Sequence, residues 1–212
     1  MIVYKYKSLG DSSCALEQEK QINYLRDIIK NNRLYAADFN ILDDPMEGVF
    51  ESENVRYDEV IQNILKNKNN LYICSLSPTY QSMLMWSFYA NYHKGCCIEV
   101  EIADDILCEV EYHDNPINID NGDYVQLNTS EKTKIILSRK FKDWGFENEL
   151  RILCNEHHVN VIVKKVYFGM RVDDALYDKL KDEIEQENHE IEVLKMKDTM
   201  FEHIDTTDRH NR

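Results

Sequence analysis

The sequence predicts an α+β fold, with a mixed, twisted β-sheet and packed helices in a single domain. Three observations lead there. Short β-branched and aromatic runs are interspersed with amphipathic stretches of helical period. They lack the strict strand–helix–strand rhythm of a doubly wound sheet. Only three prolines and six glycines occur among 212 residues, and no linker, repeat or low-complexity segment divides the chain. One domain over residues 1–204, with a frayed tail over 205–212, is therefore expected.

Taken in order, residues 2–6 alternate bulky and polar groups, as a strand does. Leu16, Ile22, Leu25, Ile28 and Ile29 recur near helical spacing and predict an amphipathic helix over 16–31. An extended piece, Arg33–Tyr35, leads into an irregular stretch over 38–48, where Asp44-Pro45 and Glu47-Gly48 supply turn chemistry. Val60, Ile61, Ile64 and Leu65 mark a helix over 57–68, followed by a short strand over 71–76 that Pro78 stops. Residues 82–92 are apolar nearly all round, which predicts a buried helix closed at Gly95. Strands are expected over 96–102 and 107–112, then a polar loop to about residue 129 and a surface helix over 131–142. Strands over 149–154 and 161–168, a helix over 174–185 and a last strand over 191–196 complete the pattern.

Charge and composition exclude several classes. The net charge is −14, so a diffuse acidic surface repels phosphate backbones and argues against non-specific nucleic-acid binding. Lys94, Lys140, Lys142 and Arg151 can still converge on a local basic pocket. No apolar run reaches the ~18 residues of a membrane span, and the N-terminus lacks the features of a signal peptide. The expected location is the cytoplasm. The six cysteines show no Cys-x-x-Cys spacing and are expected to be free thiols, with no metal predicted.

Two segments hold the most suggestive side chains. Trp86, Tyr89, Asn91, Tyr92, His93 and Lys94 combine large aromatics with polar tips, which suits a pocket wall that stacks on a planar ligand. Helix capping gives His93 and Lys94 a purely structural reason as well. In the second segment, period 2 over 146–153 sets Glu147, Glu149 and Arg151 on one strand face and Phe146, Leu150 and Ile152 on the other. Two carboxylates and a guanidinium can hold a ligand hydroxyl, stabilise positive charge or form an acid–base pair. They can equally pair with one another on an exposed face. The two segments are expected to share one cleft, with Tyr89 or His93 beside Glu149 or Arg151.

In this order the motifs resemble a bacterial family catalogued as domain of unknown function 2971. The matching pieces are Tyr4-Lys5-Tyr6; Phe39, Asn40, Asp44, Pro45 and Glu47; Trp86, Ser87, Tyr89 and Ala90; and His93-Lys94-Gly95. Lys140, Trp144, Phe146, Glu147, Glu149 and Arg151 follow, then Val166 to Gly169. Phe88 and Leu150 depart from the family's His and Trp. The layout also resembles a remote ADP-ribosyltransferase: Tyr4 and Lys5 on a first strand, Ser75 and Ser77 at a strand end, and Glu147 and Glu149 in a Glu-x-Glu strand. That resemblance implies NAD as substrate, Glu149, Glu147 and Arg151 as catalytic groups, and a bacterial toxin or phage-defence setting. It implies NAD binding by Tyr4, Lys5, Ser75, Ser77, Trp86, Tyr89, His93 and Lys94. Breaking the nicotinamide–ribose bond builds oxocarbenium-like charge, which a carboxylate stabilises. Two rivals stay open: a non-catalytic domain that senses a ligand or binds a protein, and a metal-dependent nuclease or phosphodiesterase using Asp43, Asp44, Glu47, Glu147 and Glu149 with Lys140. The expected partner is a small nucleotide-like ligand, with a protein partner or a homo-oligomer left open.

Overall fold

The computed structural model describes residues 1–53 and 58–197 and shows an α+β protein with several sheets. Its contacts group the chain into two compact units. The first holds Met1, Arg33–Pro78 and Ile102–Val161; the second holds Ile2–Asn32, Thr79–Glu101 and the described residues from 162 to 197. The expected tail over 205–212 lies outside the described residues.

The second unit is built on a four-stranded mixed sheet. Ile2–Lys7 pairs antiparallel with Cys96–Glu101, which pairs antiparallel with Ile162–Phe168, and Glu192–Lys195 adds parallel at the edge. Helix Ala15–Asn31 buries Ile22, Leu25, Ile28 and Ile29, as its spacing requires, while Leu16 at its first turn stays exposed. Helix Asp174–Glu187 packs on it and on the edge strand, and the Tyr177 ring meets Phe168 edge-on.

The helix expected over 82–92 is shorter and one-sided. It spans Met83–Phe88, burying Met85 and Trp86 and exposing Met83, Leu84 and Phe88. Its apolar composition therefore does not mean burial all round. The chain then makes a left-handed turn, with φ of 47°, 53° and 68° at Asn91, Tyr92 and His93. Asn tolerates that region, whereas a left-handed tyrosine or histidine costs roughly 1–2 kcal/mol. Gly95 serves a close approach rather than a helix cap, since a Cβ there would collide with the Lys7 carbonyl.

The first unit holds a second four-stranded sheet, ordered Ala37–Asp38, Tyr72–Leu76, Leu150–Cys154 and Cys108–Glu109. Helix Glu59–Asn69 packs against helix Thr129–Ile136. Ile61, Ile64, Ile117, Ile119 and Ile136 form the core between and beneath them. The helix expected over 131–142 begins earlier, at an Asn128–Glu131 capping box, and ends at Ile136. Arg139–Phe141 is instead a strand, parallel to Glu111–His113. No helix among the described residues is long and apolar enough to cross a membrane.

Candidate functional site

The predicted alternation over 146–153 holds only in part. Lys142–Glu147 is a 3-10 turn, Asn148 reverses the chain with φ 44° and ψ 50°, and the strand starts at Leu150. Glu147 is thus delivered by the turn beside Lys140, seven residues earlier, rather than by strand period. Nor is the polar face open to solvent. Glu147, Glu149 and Arg151 are 3%, 4% and 0% exposed, and Leu150 and Ile152 are buried on the other face.

These residues form one buried ion network. Arg151 Nε donates to Glu149 Oε1 at 2.7 Å, and Nη2 donates to Glu149 Oε2 at 3.1 Å. The same guanidinium grips both Glu47 oxygens, at 2.5 and 2.9 Å, and the Leu137 carbonyl at 2.5 Å. All five of its N–H donors are therefore used. Lys140 Nζ lies 2.6 Å from Glu147 Oε2 and 2.8 Å from Glu149 Oε2, with the Trp144 ring 5.5 Å away. Tyr112, paired with Lys140 in register, accepts the Glu149 amide through its hydroxyl at 2.8 Å. Three carboxylates thus face two cations.

The electrostatics follow from burial and pairing. Burial alone would raise the Glu149 carboxyl, but Arg151 and Lys140 pull it down to about 2, so it is ionised at any ordinary pH. Burial pushes Glu47 up, a push its two contacts to Arg151 oppose. Burial would lower Lys140, yet Glu149 and Glu147 hold it above its ordinary value.

Sequence reasoning placed Glu47 in a turn, or with Glu147 and Glu149 as metal-binding carboxylates, and missed its pairing with Arg151. Asp44 does the turn work, accepting the Met46 amide at 2.8 Å and the Phe141 amide at 3.4 Å. The missed signal was charge: Glu47 is a carboxylate in a turn that ends 2% exposed at its side chain, and such a group needs a cation. Ser75 pairs directly with Arg151 across the sheet, so the two share a face. Ser77, just past that strand, is also buried.

In the second unit, Trp86 is fully buried. Its Nε1–H donates to the Tyr80 carbonyl at 2.7 Å, its face stacks on His93 at 5.5 Å, and Tyr6 meets it edge-on at 5.4 Å. His93 is buried too, and burial followed by the Arg171 charge lowers its pKa, so it is neutral near pH 7. Trp86 and His93 thus pack as core against the sheet face that carries Tyr6. Tyr89 is half-buried and Lys94 exposed. Tyr4 and Lys5 are neighbours on one strand and point to opposite faces. Tyr4 lies 5.5 Å from the Tyr80 ring, and burial and then Glu99 push its phenol up to about 12. Tyr167 donates to Glu99 at 2.9 Å and stacks on Tyr80 at 4.4 Å.

The expected site residues thus divide between the units. Ser75, Ser77, Glu147, Glu149 and Arg151 belong to the first; Tyr4, Lys5, Trp86, Tyr89, His93 and Lys94 belong to the second. The six cysteines form no disulfide, and no group of three or more His, Cys, Asp or Glu among the described residues is arranged to hold a metal ion. Comparison with protein families, with curated proteins and with solved structures found no match to this chain.

Proposed function

We propose that the chain breaks the nicotinamide–ribose bond of NAD, as an ADP-ribosyltransferase or NAD glycohydrolase of toxin or defence type. The observation that supports this reading is the register setting Ser75 beside Arg151, with Glu149 held ionised next to them. A carboxylate meant to stabilise a ribosyl cation has to stay charged, and Arg151 and Lys140 guarantee that. The C1′–N bond breaks with both electrons leaving on nicotinamide, and Glu149 faces the resulting oxocarbenium centre. Glu147 orients the acceptor, or water, and takes its proton as the acceptor bonds to C1′. Arg151 positions the carboxylates. Lys140 bridges both carboxylates in the resting protein; the NAD pyrophosphate offers it a competing anion, and its departure frees Glu147 Oε2 and leaves Glu149 held by Arg151 alone. Calorimetry with NAD, together with nicotinamide release, tests the proposal. Binding and release are expected, and a protein that does neither overturns it.

A second reading is favoured by the closure of the same site. Both Glu149 oxygens are taken up by Arg151 and Lys140, in a network with almost no exposed surface. Such a network suits a non-catalytic domain that senses a ligand or holds a partner. It predicts nucleotide binding without nicotinamide release, or no nucleotide binding at all.

A further inference from the structure

The first unit also contains a cleft of about 550 Å³, within the size range of small-molecule sites. Among the described residues its lining carries no charged side chain, although 30% of the chain's residues are charged. Asn67 and Asn70 come from the end of helix Glu59–Asn69, Ser130 and Thr133 from helix Thr129–Ile136, and Asn155 from just past strand Leu150–Cys154. Leu71 and Tyr72 form the apolar part of the wall. The Tyr72 ring is held from one side by His157, with centroids 3.8 Å apart. Tyr72 lies three residues from Ser75 on one strand, so it points to the sheet face opposite Arg151. The cleft and the ion network are therefore separate features.

The chemistry of the lining is selective. The side-chain amides of Asn67, Asn70 and Asn155 and the Ser130 hydroxyl form no hydrogen bond with any described residue, so their donors and acceptors remain available in the lining. An amide offers two N–H donors and a carbonyl acceptor, and a sugar hydroxyl both donates and accepts. Pairing the two satisfies both groups. Tyr72 and Leu71 match the C–H face of a pyranose ring. An ionic ligand would lose hydration here and meet no opposite charge in the lining. We propose that this cleft is a binding site for a neutral, hydroxyl-rich ligand, a saccharide. This proposal stands apart from the NAD reading and survives its failure.

The test is an NMR titration of the full chain, following the side-chain amide signals of Asn67, Asn70 and Asn155. The probes are glucose, maltose and diacetylchitobiose, with glucuronate and glucose 6-phosphate as anionic controls. At least one neutral probe should shift these signals saturably, with a Kd of about 1 mM or tighter. Asn70 and Asn155 are exposed, so a double Asn70→Ala, Asn155→Ala variant keeps its fold, which a melting curve checks. That variant should bind about tenfold more weakly, the equivalent of about 1.4 kcal/mol. The proposal is overturned if no neutral probe gives a saturable shift at these amides. Equal binding of the anionic controls, or wild-type affinity in the double variant, overturns it as well.

Discussion

The Arg151 network and the Trp86 cluster hold comparable side chains in opposite ways. Each centres on one large, fully buried residue. Arg151 reaches burial by spending every donor on Glu149, Glu47 and the Leu137 carbonyl. Trp86 reaches it by ring contacts with Tyr6 and His93 and needs only one hydrogen bond, to Tyr80. The two arrangements leave unequal room for chemistry. An apolar cluster with one satisfied polar tip is finished as a piece of core. A network with three carboxylates and two cations has a surplus negative charge and a lysine that another anion could recruit.

Removing the Arg151 guanidinium should have the largest effect. Arg151→Met leaves Glu47 buried without its cation and Glu149 with Lys140 alone, and should cost about 3–5 kcal/mol in urea denaturation. A loss under 1 kcal/mol would mean that the two carboxylates protonate or reach water easily, and the network would lose its special status.

The next largest effect is a pH dependence. Glu149 has its carboxyl lowered in the folded protein from 4.5 to about 2. Its contribution is therefore complete above pH 4.5 and disappears as pH falls through that window to about 2. Wild type should lose about 3 kcal/mol more than Glu149→Gln across the window. Glu47, pushed up by burial and in part by the Glu149 charge, is present in both proteins, so their difference reports the loss of Glu149 together with the relief this gives Glu47. Parallel stability–pH curves would remove the claim that Glu149 is held ionised.

A smaller effect is expected from Trp86→Phe. It keeps a ring against Tyr6 and His93 but leaves the Tyr80 carbonyl without its donor, at about 1–3 kcal/mol. Its stability loss should not vary with pH between 3 and 5 in the manner of Glu149, because no charge is involved. A pH-dependent loss of similar size would show that the two regions are not as different as their contacts imply.

Much of the fold was legible because hydrophobic period reports burial directly. Ile22, Leu25 and Ile29 mark one helix, and seven of the eight strands in the two four-stranded sheets fall in the expected strand runs, Ala37–Asp38 being the exception. Errors arose where local sequence has two uses. Residues 89–95 continue an apolar pattern, yet the left-handed turn at Asn91–His93 is imposed by backbone packing around Gly95 and Gly169, which no period reveals. Residues 139–141 extend a helical pattern but pair with Glu111–His113. In the candidate site, Glu149 and Arg151 were readable from their spacing. Glu47 was not, because its partner lies 104 residues away in sequence.

The most direct measurement compares nicotinamide release from NAD by wild type and by Glu149→Gln, with circular dichroism confirming that both are folded. Gln retains an acceptor for Arg151 and brings the cluster to two carboxylates against two cations, so the fold should persist at neutral pH. The account predicts measurable release by wild type and a loss of about 10²–10³-fold in the variant. A folded Glu149→Gln protein that releases nicotinamide at the wild-type rate would contradict it.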